Sequence, residues 1–313
     1  MGERVFLIAL LVVMGMGWGA TMPLAKIAVS EGYRQFGLIF WQVVISSLLL
    51  GSILALRGQR LVFGRAQVRM YLFVALVGTV LPNAVSYQAA VYLPAGVIAI
   101  LMSSVPMFAF PIALLMANDR FSWIRLGGLV CGLAGVVLLI GPEASLPERA
   151  MIMFVPLALV APAFYGFEAN VVAKYGMAGL NPIQLLCGAS VMAVLIVLPL
   201  AVLSGQWINP WPPYGAPDAA IVTSSVIHAA VYSVYVWLVM RAGAVFAAQV
   251  SYLVTGFGIL WSIWLLAEQY SGWVWAALAL MFTGLFLVQP RSAQAGLAVV
   301  AGHEARQDRR RTP

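Results

Sequence analysis

Charge is what this sequence lacks. Only 9% of its 313 residues are charged, against about a quarter in ordinary globular proteins. Ten acids and seventeen basic residues are too few to cover the surface of a water-soluble fold of this size. Lysine is almost missing. Lys26 and Lys174 are the only two, and neither stands before Ser or Thr in a glycine-rich loop, which excludes a P-loop nucleotide site. Cysteine is limited to Cys131 and Cys187, each inside an apolar run, so no disulfide scaffold is built. Histidine is limited to His228 and His303. With no second His or Cys at ligand spacing, neither a metal nor another cofactor is expected. Neither His-Glu-x-x-His nor Gly-x-Ser-x-Gly occurs, so the signatures of a membrane metalloprotease or a serine hydrolase are missing.

Apolar residues are abundant instead, at 63%, which excludes disorder. Ten long apolar segments stand out: 5–27, 36–56, 70–91, 95–117, 124–141, 151–173, 183–203, 219–240, 245–267 and 273–289. Each approaches the ~20 residues a helix needs to cross the hydrocarbon. They are continuous runs rather than the short apolar–polar alternations of barrel strands. The expected fold is an all-α integral membrane protein of ten transmembrane helices. Arg4 followed by an apolar run resembles a secretory signal. The run continues to about residue 27, so a retained first span is expected.

Lysine and arginine set the orientation. With the N-terminus in the cytoplasm, only Lys26, Arg34 and Arg149 fall outside, and the other fourteen of the seventeen fall inside. That asymmetry is the positive-inside rule. It places both termini in the cytoplasm, predicts a plasma (inner) membrane protein, and accounts for the net charge of +7 without a nucleic-acid partner. The expected partners are membrane lipid and a small-molecule substrate. The basic tail 291–313, with Arg309-Arg310-Arg311, suits anionic headgroups. The loop 204–218 carries Trp207, Trp211 and Tyr214, as an interfacial aromatic belt does.

An offset near 148 recurs along the chain. Ala25-Lys26 matches Ala173-Lys174, Tyr87 matches Tyr235, and Pro142 matches Pro290, all at 148; Asp119 matches Glu268 and Gly135 matches Gly284 at 149. Residues 1–142 and 150–290 therefore read as two copies of a five-span unit. Five is odd, so the second copy enters the membrane upside down. Inverted repeats place a substrate site near the midplane, between the halves, and allow alternating access.

The stretch Tyr92-Leu-Pro-Ala-Gly-Val-Ile-Ala-Ile-Leu-Met-Ser-Ser-Val-Pro-Met resembles the fourth-span signature of EamA-type permeases. Leu114-Leu-Met-Ala-Asn-Asp-Arg resembles that family's leucine-rich run before Gly-Glu-Arg, with Asn118 and Asp119 in place of Gly and Glu. Gly17-Trp18-Gly19-Ala20-Thr21 resembles its first-span Trp-Gly-Ser/Ala-Thr. The resemblance covers residues 5 to about 290. It implies the drug/metabolite transporter superfamily, a five-plus-five inverted repeat, and export of amino acids or other small amphipathic metabolites. A membrane-embedded enzyme and a passive channel are the alternatives that a central polar cavity also allows.

Polar residues inside the spans mark the candidate site, because charge in hydrocarbon costs about 2.5–3.5 kcal/mol on insertion scales. Glu168 is the one acid well inside a span, and His228 the one histidine. Both are candidate carriers of a coupled proton. His228, Tyr232 and Tyr235 share a helical stripe, as do Asn83 with Tyr87, Tyr165 with Glu168, and Gln249 with Tyr252. Counting from the span ends puts Trp18, Asn83, Ser104 and His228 in the outer half, and Glu168, Tyr235 and Tyr252 deeper. The Glu168–His228 difference is roughly 9 Å in depth, so no direct ion pair is expected. The candidate cavity residues are thus Trp18, Asn83, Tyr87, Ser104, Tyr165, Glu168, His228, Tyr232, Tyr235 and Tyr252. Pro23, Pro82, Pro106, Pro111, Pro156 and Pro162 are expected to interrupt spans one, three, four and six, while Gly15-x-x-x-Gly19 and Gly128-x-x-x-Gly132 permit close helix approach.

Overall fold

The computed structural model describes residues 2–140, 148–242 and 249–288. Among these residues the regular structure is entirely helical. The chain runs through α1 (Gly2–Ser30), α2 (Gln35–Leu56), α3 (Arg65–Phe73), a π-helical turn (Val74–Val80), α4 (Leu81–Tyr92), α5 (Ala95–Met102), α6 (Val105–Leu115) and α7 (Trp123–Ile140). A 3-10 segment (Arg149–Phe154) leads into α8 (Val155–Tyr175), followed by α9 (Pro182–Leu203), α10 (Ala216–Ala242), α11 (Val250–Leu266) and α12 (Gly272–Val288). Among the described residues seven continuous helical rods are long and apolar enough to cross a membrane, the third being residues 65–92 and the fourth 95–115. Helices α11 and α12 are apolar and 17 residues each, and α10 has 27. The basic tail 291–313, Pro142 and Pro290 lie outside the described residues.

The prolines act differently from one another. Pro82 enters α4 directly after the π-helical turn. A proline there leaves the Gly78 carbonyl without its i+4 donor, and the widened turn absorbs the mismatch. Pro106 starts α6 after the break at Ser103-Ser104, and Pro156 sits in the first turn of α8. Pro23, Pro111 and Pro162 do not break their helices: α1, α6 and α8 run through them. Proline removes one hydrogen bond and bends a helix. In hydrocarbon the remaining bonds have no water to lose to, so the rod persists.

Packing couples the two halves of the chain. Helix α7 packs along α12, α2 along α9, and α1 along α11 and α10, while α8 packs on α4 and α6. Helices α7 and α12 approach closely. A Cβ on Gly284 would meet the Gly128 carbonyl oxygen at 2.7 Å and the Gly132 nitrogen at 2.9 Å, so the two backbones touch only because these positions are glycine.

One end of the bundle is tied by polar contacts. Tyr33 Oη donates to Asp218 Oδ1 at 2.8 Å, the Phe36 N–H donates to Gln206 Oε1 at 3.0 Å, and Trp41 Nε1 donates to the Ile208 carbonyl at 3.1 Å. Trp207 packs against Phe40 and Trp41 (ring centroids 5.2 and 5.9 Å), and Trp207, Trp211 and Tyr214 are all exposed. Partial burial, and then the Asp218 hydrogen bond and charge, push the Tyr33 phenol up to about 12. A raised acid pKa stabilises the fold at pH below the ordinary tyrosine value of about 10, and that contribution is lost as pH rises through 12. At the other end Asn181 caps α9 with a full capping box, its side chain accepting from the Gln184 N–H and the Gln184 side chain accepting from the Asn181 N–H.

Gly284→Val forces α7 and α12 apart and is expected to cost about 1–3 kcal/mol, read as a lower Tm in detergent. Gly127→Val, where a Cβ meets nothing within 4 Å, is the control and should leave the Tm in place. Equal Tm values for the two variants would contradict this packing.

Candidate functional site

Helices from both halves surround a cavity of about 520 Å³. One wall is aromatic. Trp18 on α1 stands 5.5 Å from the Tyr235 ring and 6.1 Å from the His228 ring, both on α10. The opposite wall is an amide–phenol network. Tyr87 Oη donates to Gln42 Oε1 at 2.8 Å, Tyr165 Oη donates to Asn83 Oδ1 at 3.1 Å, and Asn83 Nδ2 approaches Gln42 Oε1 at 3.5 Å. Both amide oxygens are thereby occupied, which turns the Gln42 amide N–H groups toward other acceptors. The hydroxyls of Thr21, Ser103 and Ser224 line the cavity and donate to carbonyls of their own helices, Trp18, Ile100 and Ile221. Their lone pairs therefore remain as acceptors.

Among the described residues, the cavity lining contains no Asp, Glu, Lys or Arg. Among the described residues the Trp18 indole N–H is buried without a hydrogen-bond partner, which costs about 1–3 kcal/mol.

Of the sequence candidates, Trp18, Asn83, Tyr87, Tyr165, His228 and Tyr235 lie in the cavity lining. Four do not. Ser104 is buried with its hydroxyl on the Leu101 carbonyl, and its neighbour Ser103 takes the wall position. The helix breaks between α5 and α6 at these two serines, so helical spacing cannot decide which one turns inward. Glu168 lies behind the wall, its carboxylate against Gly78 in the π-helical turn, where a Cβ would overlap it. No ion pair joins Glu168 to His228 among the described residues. Tyr232 sits 6.4 Å from Tyr235, and Tyr252 packs on Phe282 at 5.6 Å. Gln42, at the centre of the network, is a residue the sequence analysis missed. Its signal is an amide in mid-run within Phe40-Trp41-Gln42-Val43-Val44. Among the described residues no cluster of His, Cys, Asp or Glu has metal-binding geometry.

Comparison with known proteins places this cavity in context. Residues 5–141 and 152–289 each match the EamA-like transporter family. The chain belongs to the EamA-like transporter family. It is therefore a multi-pass membrane protein of the drug/metabolite transporter superfamily, built from two EamA repeats. No curated protein matches it significantly. A solved structure titled "Crystal structure of protein" is 18% identical, with a TM-score of 0.61 over 90% of this chain and 95% of its own. At that identity the likeness shows a shared fold and nothing about substrate.

The network makes a prediction for stability. Gln42→Leu strands the buried Tyr87 hydroxyl and is expected to cost about 1–3 kcal/mol, measured as a fall in Tm. Adding Tyr87→Phe should recover part of that loss, because the stranded donor is removed with its acceptor. Additive losses in the double variant would show that the two side chains do not interact.

Proposed function

We propose that this EamA protein is a secondary transporter that exports amino acids or similar small amphipathic metabolites from the cytoplasm. Ten spans, arranged as residues 1–142 and an inverted copy 150–290, would carry the cargo by alternating access. The orientation is the one the basic residues favour, with both termini cytoplasmic in the plasma (inner) membrane. The observation that carries this reading is the uncharged cavity lined by both repeats.

The pairing of helices supports the inverted arrangement. Shifting by the repeat turns α1 into α8, α2 into α9, the α3–α4 rod into α10, the α5–α6 rod into α11, and α7 into α12. Under that exchange the contact of α1 with α11 becomes α8 with α6, and α1 with α10 becomes α8 with α4. The contact of α2 with α10 becomes α9 with α3, and the pairs α2–α9 and α7–α12 map onto themselves.

The wall chemistry limits the cargo. An ion desolvated without a counter-charge costs several kcal/mol, and no counter-charge lines this cavity. The cargo is therefore net neutral when enclosed. A zwitterionic amino acid meets that condition: its ammonium group suits the faces of Trp18 and Tyr235. Its carboxylate suits the amide N–H donors of Gln42. The cavity volume lies in the range of small-molecule sites, about 300–1,000 Å³. Glu168 and His228 remain the candidate carriers of a coupled proton, Glu168 from behind the wall and His228 from within it.

Purified protein in liposomes, supplied with a panel of labelled neutral amino acids, tests the proposal. Saturable uptake is expected for at least one of them. Trp18→Ala or Tyr235→Ala should raise its half-saturation concentration by roughly three- to tenfold, the equivalent of an aromatic contact of about 0.5–1.5 kcal/mol. Flux that rises linearly with concentration, or unchanged kinetics in both variants, would overturn it. Glu168→Gln should abolish uptake driven by a pH gradient and preserve exchange of labelled for unlabelled cargo; normal pH-driven uptake would remove Glu168 as the carrier.

A further inference from the structure

The junction between α4 and α5, Leu93-Pro94, is held by side chains from the two ends of the sequence. Pro94 has no N–H, so the Ala90 carbonyl lacks its i+4 donor. Lys26 Nζ, on α1, supplies it: it donates to the carbonyls of Ala90 (2.8 Å), Val91 (3.2 Å) and Leu93 (3.0 Å). The N–H groups that open α5 are orphaned on the other side of the junction. Glu268, just past α11, accepts from the Ala95 N–H at 2.8 Å and the Gly96 N–H at 3.2 Å. Tyr270 Oη accepts from the same Gly96 N–H at 3.0 Å and donates to Glu268. A cation thus faces the C-terminus of one helix and an anion the N-terminus of the next, each complementing the helix dipole. Partial burial, followed by the Glu268 hydrogen bond and charge, holds the Tyr270 phenol well above the ordinary tyrosine range, so its proton stays in the contact.

The repeat equivalents of Lys26 and Glu268 are Lys174 and Asp119, and among the described residues, which do not include 243–248, they hold other partners. Lys174 Nζ donates to the Met116 carbonyl at the end of α6 (2.7 Å). Asp119 accepts from the Arg120 N–H and pairs with Arg125. Packing follows the same asymmetry. Helix α1 packs on α4 and α5, whereas among the described residues α8 shows no comparable packing on α10 or α11. Ala90 and Ile98, flanking the junction, line the cavity. The clamped junction therefore borders the cavity, at the end of the bundle where α1 packs on its own hairpin.

We propose that Lys26, Glu268 and Tyr270 form a latch that shuts the cavity toward the outside, and that opening to the outside requires the α4–α5 junction to leave Lys26 and Glu268. This rests on the alternating-access reading above. The three residues are positioning residues: they touch the backbone of the gate and not the cargo.

Thiol accessibility tests the latch without a known substrate. The reporter is Ser86→Cys in the cavity wall, with Cys131 and Cys187 replaced by alanine and a membrane-impermeant maleimide as the probe. The maleimide is applied to intact cells for the outer face and to inside-out vesicles for the inner face. With the latch intact, labelling is expected from the inside and not from the outside. Lys26→Met, Glu268→Gln or Tyr270→Phe should raise outside labelling severalfold, while Lys174→Met should not. Inside-only labelling that the three variants leave unchanged would overturn the latch and leave alternating access standing. So would a rise for Lys174→Met equal to that for Lys26→Met, or labelling of the unaltered latch from the outside alone. Equal labelling from both faces would instead remove alternating access itself. A second reporter, Gly32→Cys in the exposed loop after α1, shows that each variant is inserted. If the charge variants fail to insert, Tyr270→Phe, which removes a single hydroxyl, decides the matter.

Discussion

A peptide group in hydrocarbon has no water to turn to, so each N–H and C=O along these spans must find its partner within the protein. Most of the chain meets that demand with uninterrupted helix. What is specific to this molecule lies where the helix cannot continue. At Pro82 the backbone widens into a π-helical turn. At Ser103-Ser104 it breaks, and the two hydroxyls bond to the carbonyls of Ile100 and Leu101. At Pro94 the freed groups are met by side chains from α1 and from the segment after α11. Each interruption borders the cavity or the residue behind it.

The same scarcity of water governs the site. A cavity walled by rings, amides and hydroxyls can hold polar cargo without a fixed charge. Three charged side chains are placed outside its lining: Glu168 against Gly78, and Lys26 and Glu268 on the backbone of the α4–α5 junction. Neutral groups face the cavity, and charges face helix ends, where the dipole favours them. Under the proposed function this division would let a net-neutral metabolite pass without competing for the ionic contacts that hold the hairpin.

Much of this was legible in the sequence because the bilayer leaves few alternatives. The apolar runs give the helices to within a few residues, with α1 continuing to Ser30, and the EamA signature is visible around residues 92–107. The ring wall was legible in part, since Trp18, His228 and Tyr235 are polar-edged rings at mid-span depth. Depth counting does not give azimuth, however. It kept Glu168 among the cavity candidates although its carboxylate turns toward the third rod. It chose Ser104 over Ser103 because the break between α5 and α6 resets the helical phase. In the sequence Lys26 stands at the end of the first apolar run and Arg125 at the start of the fifth. Lys26 lies against three carbonyls, and Arg125 is buried beside Asp119 with its guanidinium 5.5 Å from the Phe110 ring centroid. A sequence shows that a charge sits near a helix end. It does not show which other helix end it serves.

The account depends on the two EamA repeats lying head to tail across the bilayer. The most direct measurement labels single cysteines placed in the loops that follow equivalent helices, Gly32→Cys after α1 and Gly176→Cys after α8, from each side of the membrane in turn. The account predicts Gly32→Cys modified only from the outside and Gly176→Cys only from the cytoplasmic side. Modification of both from the same face would contradict it.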